Sequence, residues 1–189
     1  MPLYYEFDVR LEEIEPPIRR RFLIAKSATF RELSEAIQDA FGWGGHHLFV
    51  FQGKRKGPPI AGVPSDEMLE RVPDARKVKL ASYFGEGKPA KCRYLYDFGD
   101  DWMHEVKCAG LIRTEEKFRR RLLSGARAGP PDDCGGVGGY ERCVALALGE
   151  AEEDQDEDER EESRELLEWL GDWKPERFVL KEARKEFDR

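Results

Sequence analysis

The chain predicts an α+β fold: a mixed or antiparallel sheet with a ββαβ opening, further antiparallel strands and C-terminal helices. Three observations carry this. Residues 3–11 alternate with period two, residues 29–42 form a capped apolar stripe of helical spacing, and the later segments do not repeat as strict βαβα units.

In the first strand Leu3, Tyr5, Phe7, Val9 and Leu11 fall on one face and Tyr4, Glu6, Asp8, Arg10 and Glu12 on the other. Pro16-Pro17 ends it, and Arg21–Ala25 reads as its hairpin partner. Thr29 with Glu32 three residues on is a capping box, Phe30, Leu33, Ala36, Ile37, Ala40 and Phe41 supply the stripe, and Gly42 stops the helix. His47–Phe51 reads as the strand that completes ββαβ, a β-grasp-like order. Residues 53–76 are rich in Pro and Gly and read as loop, and Lys77–Phe84 alternates as a strand. Lys91–Tyr96 and Trp102–Ile112 read as strands joined by the turn 97–101. A helix opens at Tyr140 and runs to about Leu148. Ser163 caps another that carries Leu166, Leu167, Trp169 and Leu170, and a short helix follows Pro175. These elements divide into an α+β domain at 1–149, an acidic linker at 150–162 and a C-terminal helical segment at 163–189.

Charge is unevenly spread. Residues 150–165 hold eleven acids and two arginines, a local charge of −9 within a total of −7, so the remainder is +2. The acidic stretch reads as a protein-interaction tail. Two basic clusters, Arg19-Arg20-Arg21 and Arg119-Arg120-Arg121 beside Lys117, are the nucleic-acid candidates, a less favoured partner because no basic face dominates. Four cysteines at 92, 108, 134 and 143 make no C-x-x-C pair, which fits reduced thiols in the cytoplasm. The start MPLYYEFDVRLEE has no basic stretch leading into an apolar one, so no signal peptide is expected. No apolar run reaches 18 residues, so no membrane span is expected.

The hairpin of YLYDFGDDWMHEV allows a register. If paired numbers sum to 200, Tyr96 faces His104, Tyr94 faces Val106 and Cys92 faces Cys108, and all the even-numbered residues share one face. His104 then lies among aromatics as a packed imidazole, a general base or a metal ligand. Asp97, Asp100 and Asp101 cap the turn or supply hard oxygen ligands. The segment GPPDDCGGVGGY at 129–140 is stiff on entry and glycine-rich on exit. It lacks a P-loop lysine and does not fit G-x-G-x-x-G, so nucleotide binding is disfavoured. Asp132, Asp133 and Cys134 could join His104 or His47 in a metal site, and Cys134 with a histidine base is a candidate nucleophile. The catalytic candidates are therefore His104, Asp97, Asp133 and Cys134. The metal candidates are Asp97, Asp100, His104, Asp133 and His47. No cofactor is required, and a divalent metal is the one candidate. No zinc-type ligand spacing is present.

PPIRRRFLI at 16–24, LSEAIQDAFGWGGHHLFVF at 33–51, YLYDFGDDWMHEV at 94–106 and GARAGPPDDCGGVGGY at 125–140 resemble, in that order, the plasmid pRiA4b ORF-3-like family. The resemblance covers roughly residues 3–148. It departs at Arg19, where the family often has tryptophan, and at Ser34 and Phe49, where it often has histidine. His47, Asp97, Asp100, His104, Asp133 and Cys134 match. The resemblance implies an α+β fold, a prokaryotic source and a loose association with plasmids or mobile elements, where some relatives are described as resolvase-like. It implies no catalytic residues. Three functions follow: a non-catalytic binding or accessory module, a metal-assisted hydrolase using Asp97, Asp100, His104 and Asp133, and a DNA-binding recombination accessory protein. The first is favoured.

Overall fold

The computed structural model describes residues 1–53, 57–64, 71–150 and 156–188. Its strands β1 (Leu3–Leu11), β2 (Arg19–Ala25), β3 (Phe49–Gln52), β4 (Pro59–Gly62), β5 (Ala90–Tyr96), β6 (Trp102–Arg113) and β7 (Arg120–Ala126) form one sheet in the order β4-β3-β5-β6-β1-β2-β7. All its ladders are antiparallel. With helices beside a single antiparallel sheet, the fold is α+β, as expected. The ββαβ order is present, but β3 pairs β4 and β5, and β5 and β6 separate it from β1.

The period-two reading of β1 fixes the core face. Tyr5, Phe7, Val9 and Leu11 are fully buried against Phe22, Ile24 and helix α1 (Phe30–Phe41). The opposite face is laced with ion pairs, Asp8 with Arg19 and Glu6 with Arg21. The Thr29–Glu32 capping box forms, and Gly42 caps α1 in the left-handed region. Two polar residues also sit on the buried side of α1. Ser34 and Gln38 are turned inward to the Tyr94 hydroxyl, at 2.8 Å each.

Several boundaries differ from the sequence reading, each for a local reason. Lys77–Phe84 is no strand; it contains helix α2 (Ala81–Phe84). Leu80 and Phe84 are buried and Ser82 is exposed, so the pattern is i, i+4, which shares its first and last positions with a period of two. The segment read as loop at 53–76 contributes β4, while its residues 54–56 and 65–70 lie outside the described residues. Arg120 and Arg121 of the second arginine cluster open β7, a strand hidden by its charges. The β5–β6 hairpin pairs Tyr94 with His104 and Tyr96 with Trp102. The loop is centred on Gly99, not Asp100, so the expected pairs are shifted by two. A two-residue shift preserves the face, and Cys92, Tyr94, Tyr96, Trp102, His104, Val106 and Cys108 are all buried.

Helix α3 (Gly136–Leu148) starts four residues before Tyr140. Helix α4 (Glu157–Leu170) starts at a capping box of Asp156 and Glu159, so acids expected in a linker form its first turns. Residues 151–155 lie outside the described residues. Helix α5 (Leu180–Phe187) packs on β7 and α1 and buries Phe187 completely. No helix among the described residues is long and apolar enough to cross a membrane.

Candidate functional site

Three loops meet at one end of the sheet: 42–48 after α1, 97–101 between β5 and β6, and 127–135 between β7 and α3. Trp43 reaches across the sheet end, stacks on Tyr96 at 4.9 Å and donates from Nε1 to Pro130 O at 3.0 Å. Gly44 N donates to Asp132 Oδ2 at 2.8 Å, Gly135 N to Asp100 Oδ2 at 3.1 Å and Asp97 N to Leu48 O at 3.0 Å. The glycines of the third segment serve close approach. A Cβ on Gly129 would stand 2.0 Å from Phe41 O, and one on Gly139 would stand 1.7 Å from Cys134 O.

His47, Asp97 and Asp133 converge there. One donor atom from each lies within 4.8 Å of the others. Nε2 of His47 is 2.8 Å from Asp133 Oδ1, out of line for a hydrogen bond, and Nδ1 is 3.4 Å from Asp97 Oδ2. Asp97 and Asp133 hold positive φ, 56° and 60°, a region that Asp tolerates better than most side chains. Asp97 uses Oδ1 to accept Gly99 N at 2.9 Å, which leaves Oδ2 for the imidazole. Beside them the Tyr96 ring lies edge-on to His47 at 5.6 Å. Burial, with the Asp132 carboxylate, pushes the Tyr96 phenol up to about 12.

The other candidates do not join this cluster. His104 is fully buried, with Phe41, Trp43 and Tyr94 around its ring and Nδ1 at 3.0 Å from Trp102 O and 3.2 Å from Tyr94 O. Burial pushes its imidazole down to about 4, so it is neutral at physiological pH. Asp100 ties the loops together through Gly135. Cys134 lies against the Gly136 carbonyl, and burial with the neighbouring Cys143 thiol raises its own thiol to about 12. Such a thiol is a poor nucleophile. Iodoacetamide at neutral pH should therefore alkylate Cys134 in the native protein at least roughly a hundredfold more slowly than free cysteine, as read by mass spectrometry. Labelling at the free-thiol rate would contradict this. Cys92 and Cys108 are buried free thiols.

The arginine clusters are split by strand alternation. Arg20 and Arg120 point into the protein, donating to Ala40 O and Phe187 O respectively. Arg19, Arg21, Arg119 and Arg121 pair with Asp8, Glu6, Glu32 and Glu116. Sequence reasoning missed Trp43 and Tyr96 as parts of the site, and it placed Asp132 beside Asp133 as a possible ligand. The signal for Trp43 was its place between the α1 stop and the Gly44-Gly45 pair, but nothing local shows which loop it reaches.

The profile of the plasmid pRiA4b ORF-3-like proteins matches residues 4–182, through α4 and into α5. A curated relative, the uncharacterized protein y4hQ of Sinorhizobium fredii, is 33% identical over 164 residues, which cover 86% of this chain and 78% of that protein. The crystal structure of MM3350 from Methanosarcina mazei Go1, a protein of unknown function, is similar with a TM-score of 0.79 at 30% identity, over 96% of each chain. The chain belongs to the plasmid pRiA4b ORF-3-like protein family.

Proposed function

We propose that the protein is a non-catalytic recognition module whose binding surface is the acidic face formed by the three loops. One observation carries this reading: loops from three distant stretches are tied to one another by hydrogen bonds, and the face they present is fixed in advance. Its exposed groups are His46, Phe98, Asp101 and Asp133, with Asp100 and Asp132 half-buried among them. A face dominated by carboxylates selects cationic groups. Of the four catalytic candidates, His104 and Cys134 are absent from it in usable form, since His104 is sealed in the aromatic core and Cys134 is a protonated thiol. The plasmid reading frame in the family name supports an accessory role in plasmid or mobile-element biology.

The hydrolase reading loses His104, and the recombination reading loses Arg20 and Arg120, which have no free face for phosphate. The test is capture of partners by the full chain and by the double variant Asp101→Asn, Asp133→Asn. Glu105→Gln, on the charged face of the sheet, serves as control. A partner held by the native protein and the control but lost from the double variant supports the proposal. Equal retention by all three overturns it, as does turnover of a phosphoester or amide substrate that disappears with Asp133→Asn.

A further inference from the structure

We propose that the three-loop face holds one first-row divalent transition-metal ion, on one ring nitrogen of His47 and one carboxylate oxygen each from Asp97 and Asp133. The proposal rests on the reading of this face as the functional surface and names its ligand. Three features of the site converge on it.

The first is geometry. The donors come from three different loops, and one atom from each falls within 4.8 Å of the others. Bonds of about 2.0–2.2 Å place two donors of one ion at most about 4.4 Å apart, so uptake draws the trio inward by a few tenths of an ångström. Asp133, whose side chain is 69% exposed, is free to make that movement. Asp97 is held rigidly: its Oδ1 is committed to Gly99 N, which presents the other oxygen alone.

The second is the Tyr96 hydroxyl. Tyr96 has no exposed surface, and its hydroxyl makes no hydrogen bond of good geometry. A buried hydroxyl without a partner costs free energy. Backbone N–H groups of Gly45 and His47 face this oxygen and the Asp132 and Asp97 carboxylates act on it from nearby, so the hydroxyl stands at the edge of the site with its own proton given to no acceptor.

The third is charge and donor type. Asp97, Asp100, Asp101, Asp132 and Asp133 crowd these loops, and a divalent cation relieves their mutual repulsion. One imidazole with two carboxylates is a mixed donor set that suits zinc or cobalt through the nitrogen and admits manganese through the oxygens, whereas magnesium and calcium take all-oxygen sets. Three protein ligands leave coordination positions for solvent or for a partner's donor group.

Calorimetric titration of the chelator-stripped full chain with manganese, cobalt or zinc chloride tests this. One equivalent should bind, and His47→Ala, Asp133→Asn and Asp97→Asn should each weaken binding at least tenfold. Asp97→Asn keeps an oxygen for Gly99 N, so the turn survives, and unchanged melting curves for the variants confirm folding. Glu105→Gln, on the charged face of the sheet where Glu105 pairs with Lys91, should bind as the native protein does. No saturable uptake of any of the three metals overturns the proposal, and so does uptake that His47→Ala and Asp133→Asn leave unchanged. The metal alone is the probe here. Partner capture in chelator that survives such a failure leaves the recognition reading standing, and metal uptake without any partner lost from the double variant leaves only the ion site.

Discussion

Phe187→Ala should lower the melting temperature by about 6–20 °C, from a loss of about 3–5 kcal/mol for an emptied aromatic site at roughly 2–4 °C per kcal/mol in a chain of this size. The side chain is fully buried, with its ring 5.3 Å from Phe22 and the Arg120 guanidinium over its face at 4.8 Å. Its carbonyl accepts from Arg120 Nε at 2.8 Å. The neighbours serve the sheet edge: Asp188 Oδ1 accepts Leu122 N, and Arg184 Nε donates to Leu122 O, each at 2.8 Å. Together they satisfy backbone groups that β7, an outer strand, would otherwise leave open. Differential scanning calorimetry reads the effect. A shift below about 3 °C would show that α5 is an appendage and not part of the core.

Acid should destabilise the native protein through His104, and His104→Phe should remove that part of the dependence. The sign follows from where the proton binds. The unfolded chain protonates this imidazole near its ordinary 6.5, whereas burial holds the folded one near 4. Below pH 6.5 the unfolded state binds the extra proton, so the stability tied to neutral His104 is complete above 6.5 and falls until about pH 4. The full loss is on the order of 3 kcal/mol. Urea melts of both proteins between pH 7.5 and 4.5 give the comparison. Parallel curves would mean that His104 takes up its proton in the folded state as easily as in the unfolded one.

The parts of the fold visible in the sequence were those whose signal is local. The alternation at Tyr5, Phe7, Val9 and Leu11, and the Thr29–Glu32 box with Gly42 behind it, specify β1 and α1 without tertiary information. Strand β7 was hidden because three consecutive arginines read as a charged patch, yet Arg120 spends its charge on Asp39 and a backbone carbonyl inside the protein. Ser34 and Gln38 lie outside the apolar stripe read from the sequence. They are inward partners of Tyr94, a residue about 60 positions away that only the folded sheet brings near.

The candidate site was legible by composition and not by membership. Asp97, Asp133 and His47 all stood among the metal candidates, and the structure gathers these three. His104 carried most of the catalytic expectation because it sits in a long distinctive motif. Alternation along β6 turns it inward, and the aromatic surroundings that made it conspicuous are what keep it neutral. Tyr96 was read only as the residue facing His104, because a strand tyrosine looks like core until its hydroxyl has to be accounted for.

The closure of β7 also has a consequence in time. Leu122 leaves the ribosome 62 residues before Arg184 and 66 before Asp188. At roughly 5–20 residues per second, the outer strand waits about 3–13 s for the groups that cover it. Until those groups arrive, the Leu122 N–H and C=O lack the partners that close them, and β7 keeps an edge of the kind that pairs with other strands.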